Sequence, residues 1–296
     1  MRYGQGVALV VAAGALWSLM GLGLRQIEAA TVWQILFWRS VGAVLVLFAF
    51  ICWSSGGRPF AQIRRVGLAG VLGGFGLVFA FAGSIYAIQT TTIANAVFLF
   101  TASPFVAAIL GWIVLGERVK PWTWAAIGLA VFGMYLMVRE GLAIGALAGN
   151  IAALLSATGF GAFSVCLRWG KVNDMLPVSM LGGVFAMITA AIVLTLQGDA
   201  IAVSAHDMGM AALIGAVILA LGMVMYTLGS RVIPAAELTL LSMVEVLLGP
   251  VWVFLFLGET ASTNTFVGGG VLLVAVALNA VMGARLPRNE GVAETP

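Results

Sequence analysis

The residues Val114–Val119 have the sequence VLGERV, and 142 positions later the residues Phe256–Ala261 have the sequence FLGETA. Each stretch closes a long apolar run with the same Leu-Gly-Glu. Basic residues follow only the first copy, where Arg118 and Lys120 stand. The two stretches therefore look like copies of one motif that lie in different surroundings.

The composition of the chain is that of a membrane protein. It has 296 residues, of which 62% are hydrophobic and 8% charged, and its mean hydropathy is +1.12. Soluble domains carry about 25% charged residues to cover their surface, so most of this chain must be surrounded by lipid. The net charge of +3 does not indicate a nucleic-acid partner, because the basic residues are scattered over short loops.

The apolar runs predict an all-α integral membrane protein with ten transmembrane helices, since a helix needs about 20 apolar residues to cross a bilayer. The least obvious break is Tyr86–Asn95, with the sequence YAIQTTTIAN. Without it, the run from Val66 to Leu115 would hold 50 residues, far too many for one span. The predicted spans are 6–24, 32–52, 66–86, 93–115, 121–138, 148–168, 176–196, 208–229, 236–257 and 263–284.

Lysine and arginine are divided unevenly between the two ends of these spans. Of 14 basic residues, 11 lie on one side and two, Arg25 and Arg139, on the other, while Arg39 lies inside a span. Basic loops stay on the cytoplasmic side, so both termini are expected in the cytoplasm and the chain in the cell inner (plasma) membrane. The 11 residues are Arg2, Arg58, Arg64, Arg65, Arg118, Lys120, Arg168, Lys171, Arg231, Arg285 and Arg288.

The two Leu-Gly-Glu copies define an internal duplication. The halves, residues 1–145 and 146–296, hold five predicted spans each, and a short disordered tail is expected from about residue 286. Because five is odd, the second half must enter the membrane from the opposite side, which places Glu117 inside and Glu259 outside. Inverted repeats are a common plan of secondary transporters, with the substrate site in a central cavity near the bilayer midplane.

The chain resembles the drug/metabolite transporter superfamily, EamA type. The resemblance rests on ten spans in two sets of five, on Arg39 within FWRS of the second span, and on Pro104 before the Gly116-Glu117 end of the fourth. It covers about residues 6–285, and within the superfamily the chain resembles the YddG-like aromatic and neutral amino-acid exporters. The resemblance implies export of small metabolites, prominently amino acids.

Trp17 and Phe160 occupy related positions midway along the first and sixth predicted spans. We expect them to line the central cavity and to offer apolar, stackable faces to a substrate. The alternative is that aromatic side chains at this depth only pack against neighbouring helices or face lipid.

Arg39 and Glu245 place charge inside the second and ninth predicted spans. An ionisable group there costs several kcal/mol unless it is paired or wetted. At 1.5 Å per residue, Arg39 lies about 10 Å below the outer surface and Glu245 about 13 Å above the inner one. The sequence predicts either an ion pair that fixes helix packing or two water-lined sites, which would bind the carboxylate and the ammonium of a zwitterion.

The remaining polar candidates each have two possible roles. Tyr86 and Tyr226 stand near opposite mouths, as gates or as members of the interfacial aromatic belt. Glu237, at the start of the ninth predicted span, either stabilises the helix dipole or takes part in proton coupling, for which Glu245 is a second candidate. Side chains that bond either a substrate or their own helix are Gln34, Thr101, Ser103, Ser164 and Ser242.

These observations predict a secondary transporter that exports small metabolites, above all neutral or aromatic amino acids, by alternating access. Export of other small amphipathic metabolites or drugs, and a passive channel, stay open as alternatives. An intramembrane enzyme has little support, because the one histidine, His206, lies in an outer loop; no catalytic, metal or cofactor site is predicted. The expected partners are a small-molecule substrate and the lipid bilayer; the sequence leaves the oligomeric state open, and a monomer suffices for transport.

Overall fold

A computed structural model describes residues 3–116, 121–143, 147–170, 176–230, 241, 244–258, 260 and 262–284. Within these ranges the protein is all-helical, without a β-strand. The predicted tail from about residue 286 lies outside the described residues, as do Glu117, Glu237, Ser242 and Glu259.

Fourteen described α-helices, one pair of them joined through a π-helical segment at Ile214–Leu221, follow the predicted apolar runs closely. The helices are α1 Tyr3–Trp17, α2 Met20–Leu24, α3 Val32–Ser54, α4 Pro59–Arg65, α5 Gly67–Thr90, α6 Ile93–Phe100, α7 Ser103–Leu115, α8 Pro121–Ala143, α9 Leu147–Gly170, α10 Leu176–Gln197, α11 Ala205–Leu213, α12 Gly222–Ser230, α13 Val244–Leu257 and α14 Thr263–Ala284.

Seven described helical stretches are long and apolar enough to cross a membrane, which makes the protein a multi-pass membrane protein. They are Tyr3–Leu24, Val32–Ser54, Gly67–Thr90, Ile93–Leu115, Leu147–Cys166, Leu176–Gln197 and Ala205–Gly229. Three shorter apolar helices, Pro121–Leu136, Val244–Leu257 and Thr263–Ala275, fall on the other three predicted spans.

The turn predicted within Tyr86–Asn95 is confirmed and is tighter than expected. Helix α5 continues to Thr90, and α6 begins at Ile93. The Thr92 hydroxyl accepts a hydrogen bond from the backbone N–H of Asn95, which satisfies a free donor at the start of α6. Two residues, Thr91 and Thr92, therefore separate the two helices, and Thr92 is the N-cap of α6.

Two helical stretches, Tyr3–Leu24 and Ile93–Leu115, are interrupted within their length, at Ser18–Leu19 and at Thr101–Ala102. At both breaks a hydroxyl bonds the carbonyl three residues earlier: Ser18 donates to Ala15 and Thr101 donates to Phe98, each at 2.6 Å. Hydrogen bonds from a side chain to its own helix compete with the backbone hydrogen bonds of that helix and bend it. The breaks are thus encoded locally.

Glycines allow the helices to approach closely, which is what drives helix association in lipid. Helices α5 and α9 pack with Gly76 and Gly159 facing each other, and a Cβ at Gly76 would lie 2.8 Å from the Gly159 carbonyl oxygen. Other packed helix pairs are α3–α10, α5–α10, α8–α14, α1–α12, α7–α9 and α3 with the π-helical segment.

The glycines of the two Leu-Gly-Glu copies have the same backbone conformation. Gly116 ends α7 with φ 66°, and Gly258 follows α13 with φ 65°. This left-handed conformation is the usual way to end a helix and favours glycine strongly. The repeated motif is therefore a helix stop, and the glutamates that follow it lie outside the described residues.

Candidate functional site

A cavity of about 140 Å³ lies between the spans, and Trp17, Phe160, Arg39 and Glu245 all line it. Its walls come from α1, α2, α3, α5, α6, α9, the π-helical segment, α12 and α13. The cavity therefore collects four predicted site residues from helices far apart in the sequence. Small-molecule sites are concave and mostly apolar, with few polar groups, and this cavity has that character.

Aromatic rings form much of the cavity wall. Phe160 lies 5.4 Å from Phe100, ring centroid to ring centroid, and both line the cavity. Trp17 lies 5.4 Å from Tyr226 with the ring planes tilted by 40°. The indole nitrogen of Trp17 is buried, has no hydrogen-bond partner, and packs against Gly222. These rings offer flat apolar faces to a ligand.

Arg39 is the most deeply buried charge on the cavity, with 2% of its surface exposed. Its guanidinium carbon lies 4.8 Å from the centre of the Phe81 ring, a cation–π contact. Its Nη1 points at the sulfur of Met20 at 4.0 Å. Its Nε and Nη2 are buried without a hydrogen-bond partner. A buried guanidinium with empty donors is costly, so these donors require an explanation.

Within the described part of the chain, Arg39 and Glu245 do not form the ion pair that was one of the two predicted arrangements. Both side chains line the same cavity, and Glu245 is half-buried. Each therefore stands as a separate charge of opposite sign in an apolar cavity.

Three of the polar side chains predicted to bond either a substrate or their own helix, Gln34, Thr101 and Ser164, form hydrogen bonds to backbone groups. Gln34 accepts a hydrogen bond from the backbone N–H of Thr31 and donates to the Ala200 carbonyl, so its amide is occupied at the outer end of α3. The Ser164 hydroxyl donates to the Phe160 carbonyl, and Thr101 forms the break described above. Gln34, Thr101, Ser103 and Ser164 lie off the cavity wall.

The two tyrosines occupy different surroundings. Tyr86 is 39% exposed and lines a separate lateral groove of about 460 Å³ together with Trp33 and Phe79. That position matches the aromatic belt at the membrane interface. Tyr226 instead packs on Trp17, next to the cavity. The structure therefore associates one of the two predicted gates with the cavity.

The sequence did not single out Asp207, which is buried at 1% exposure at the start of α11. Its carboxylate accepts three backbone hydrogen bonds at 3.0–3.1 Å, from Glu28, Ala29 and Ala30. Ser204 caps α11 by accepting from the Asp207 N–H. The pattern Ser-x-x-Asp before an apolar run is a helix-start signal and would have identified this residue.

A buried polar cluster, formed by Thr91, Asn95 and Asn150, lies near the start of α6 and of α9, next to the cavity. The Asn95 amide donates to Asn150 and to the Thr91 hydroxyl, joining α6 to α9. Arg25 donates to the Thr91 carbonyl at 2.9 Å. Ala96 and Ala153, which follow Asn95 and Asn150 along their helices, already line the cavity. The cluster thus lies next to the part of the cavity wall formed by Ala96 and Ala153.

The described residues contain no group of three or more His, Cys, Asp or Glu side chains that could hold a metal ion. The Cys52 and Cys166 thiols are free. The ionisable side chains on the described cavity wall are those of Arg39 and Glu245, which lie among aromatic rings.

Comparisons with known proteins agree with this architecture. The EamA-like transporter family model matches residues 4–139 and again 147–281. An uncharacterized transporter of Archaeoglobus fulgidus is 26% identical over 282 residues, 93% of this chain and 96% of that protein. The pseudopaline exporter CntI of Pseudomonas aeruginosa is 25% identical over 277 residues, 92% of this chain and 94% of that protein.

Human solute carrier family 35 member G1 is 26% identical over 211 residues, 66% of this chain and 57% of that protein. The match to this human protein thus spans little more than half of its length. A solved crystal structure superposes with a TM-score of 0.65 at 16% identity, over 96% of this chain and 100% of that chain, and supports the fold alone. The chain belongs to the EamA-like transporter family and is a membrane transporter.

Proposed function

We propose that the protein is a secondary transporter that exports small neutral or aromatic amino acids by alternating access around this cavity. The observation that carries the proposal is the cavity itself, where one unpaired guanidinium and one carboxylate face a space with aromatic walls. A zwitterion with an apolar side chain complements all three elements. Other small amphipathic metabolites share part of that complementarity and are the alternative substrates.

Alternating access follows from an inverted repeat of two five-helix halves, 1–145 and 146–296. The helix contacts support this arrangement, because exchanging each span with its counterpart five spans away turns the α5–α9 contact into the α12–α1 contact. The same exchange maps the α3–α10 and α8–α14 contacts onto themselves. The two successive family matches and the paired left-handed Gly116 and Gly258 support it as well.

Transport requires the outer end of the cavity to open, and the Thr91–Asn95–Asn150 cluster is our candidate for the outer gate. The hydrogen bond between Asn95 and Asn150 joins α6 and α9, which belong to opposite halves, so it must break when the halves rock apart. A closed polar cluster across the outer end favours a carrier over a passive channel. The name of the related pseudopaline exporter favours export as the direction.

In the proposed arrangement the protein lies in the cell inner membrane with both termini in the cytoplasm, as the basic loops indicate. One chain contains the whole cavity, so a monomer is sufficient for transport. Glu245 and Glu237 are the candidates for proton coupling, and Trp17 with Tyr226 forms the candidate inner closure.

Transport by the purified protein in liposomes tests the proposal. We expect saturable, stereoselective flux of labelled L-phenylalanine and L-leucine, measured with and without a pH gradient, with protein-free liposomes as the control. Non-saturable flux that ignores stereochemistry would identify a channel, and absence of amino-acid flux would contradict the proposed substrate class.

A tryptophan pair provides the matched test of the cavity. Trp17→Ala should raise the KM for L-phenylalanine about three- to tenfold, because one aromatic contact contributes about 0.5–1.5 kcal/mol. Trp53→Ala removes a tryptophan that is 78% exposed on α3 and should leave the KM unchanged. Equal KM values for the two variants would remove Trp17 from the binding site.

A further inference from the structure

Arg39 presents one edge of its guanidinium without a partner. The Nε–H and one Nη2–H of a guanidinium point in the same direction and form a fork that matches the two oxygens of a carboxylate. Nε and Nη2 are the two nitrogens of Arg39 that are buried without a hydrogen bond. The third nitrogen, Nη1, faces Met20. Nε and Nη2 are therefore the two nitrogens of Arg39 that could make a two-point contact with a carboxylate.

The guanidinium is held in place before a ligand arrives. The Phe81 ring covers one face of it at 4.8 Å, and the Met20 sulfur lies at its far end at 4.0 Å. The α3 backbone is fixed as well, because Gly215 of the π-helical segment packs directly on the Arg39 carbonyl oxygen. A group held in its binding orientation loses little freedom when the ligand binds.

The chemistry of the cavity selects a carboxylate for this site. Among the described residues of the cavity wall, Arg39 and Glu245 are the two ionisable side chains, and their formal charges are opposite. A ligand with one carboxylate and one ammonium keeps that balance. A phosphate dianion would add two negative charges beside Glu245 and would leave a net negative charge in an apolar enclosure, which is costly.

We propose that Arg39 binds the substrate carboxylate side-on through Nε and Nη2, and that Phe81 and Met20 are positioning residues for this contact. A free carboxylate is then an obligatory element of every transported substrate. The inference deepens the proposed function and rests on it for the step from binding to transport.

Binding of matched carboxylates and amides to the purified protein tests the inference. The pairs are 3-phenylpropionate with 3-phenylpropionamide and L-phenylalanine with L-phenylalaninamide, measured by thermal stabilisation in detergent. Each carboxylate should bind about 10- to 100-fold more tightly than its amide, the range expected for hydrogen bonds to a charged group. Arg39→Gln should abolish the difference, whereas Arg64→Gln, which changes an exposed arginine, should preserve it.

Two milder variants distinguish two-point binding by the guanidinium from attraction by its charge alone and from a folding defect. Arg39→Lys keeps the charge without the fork, so the preference for carboxylate over amide should fall about tenfold. Phe81→Leu keeps Arg39 but removes the ring that orients it, so the same ratio should fall because carboxylate binding weakens more than amide binding. A purely structural role for Phe81 would weaken both classes of ligand equally.

The outcomes for the inference and for the proposed function are distinct. Equal binding of carboxylates and amides to the wild-type protein, absence of any carboxylate binding, or an unchanged ratio in Arg39→Gln would each overturn the inference. Carboxylate binding without flux in liposomes would uphold the inference and contradict the transport of these compounds. Flux that accepts phenylalaninamide as well as phenylalanine would uphold transport and overturn the inference.

Discussion

Arg39 and Asp207 are buried to the same extent, at 2% and 1% exposure, yet their surroundings differ completely. Asp207 accepts three backbone hydrogen bonds and lies at a helix start, so its charge is satisfied by the fold. Arg39 has an aromatic ring, a sulfur atom and two empty donors. A buried charge that the protein satisfies maintains structure, and one that it leaves unsatisfied is available to a ligand.

The largest effect that this comparison predicts is on transport, from Arg39→Gln. We expect flux of L-phenylalanine in liposomes to fall about 100-fold, because hydrogen bonds to a charged partner are lost. The apparent melting temperature of the variant in detergent should stay the same or rise, since a buried charge without a counter-ion does not stabilise the fold. A large fall in melting temperature would make Arg39 structural and break the comparison.

The next effect is on stability, from Asp207→Asn. The substitution keeps the shape but presents an amide N–H to backbone N–H donors, and each buried donor left unpaired costs about 1–3 kcal/mol. The apparent melting temperature should fall by about 6 °C or more. The preference for carboxylate over amide in the remaining folded protein should be unchanged. Loss of that preference would show that the outer end of the fold shapes the Arg39 site.

Glu245→Gln tests the other ionisable side chain of the cavity, whose formal charge is opposite to that of Arg39. Because Glu245 is not paired with Arg39, the variant should lose about tenfold in affinity for L-phenylalanine but bind 3-phenylpropionate, which has no ammonium, at least as well as the wild type. Combining it with Arg39→Gln should not restore transport. Recovery in the double variant would mean that the two residues act as an ion pair.

The smallest effect concerns the side-chain partner of Asp207. His206 is 55% exposed and lies 3.3 Å from the Asp207 carboxylate. Exposed ion pairs contribute about 0–1 kcal/mol, so His206→Asn should change the apparent melting temperature by about 2 °C or less. A fall as large as that of Asp207→Asn would show that the histidine, and not the backbone of the Glu28–Ala30 segment, satisfies the carboxylate.

The sequence predicted the parts of this molecule that differ chemically from their surroundings. Arg39 and Glu245 are visible because charge is rare in an apolar span, and the span ends follow from hydropathy and the Leu-Gly-Glu glycines. Phe81 and Met20 could not be identified in the same way, because the chain has 17 phenylalanines and 13 methionines. Which of them faces the guanidinium depends on how α2, α3 and α5 pack, and hydropathy contains no information on that rotation.

Gln34, Thr101 and Ser164 are a different case, because the sequence left each of them with two possible roles. Their polarity in an apolar span suggested contact with a substrate, but each is satisfied by a nearby backbone group. A short polar side chain in a helix can always reach its own backbone, so polarity alone does not predict a binding role. A guanidinium does not satisfy its N–H donors on its own helix backbone in this way. Its polarity was therefore a better indication of a cavity position for Arg39 than for the three short polar side chains.

Asp207 binds the Glu28–Ala30 segment through main-chain N–H groups, so these hydrogen bonds do not depend on the exposed side chains of Glu28 and Ala29. Both positions can be redesigned without loss of these bonds, whereas Ala30 is buried in the core and must stay small. The exception is proline, which has no N–H to donate. The loop therefore depends on the carboxylate at position 207 more than on the side chains of Glu28 and Ala29.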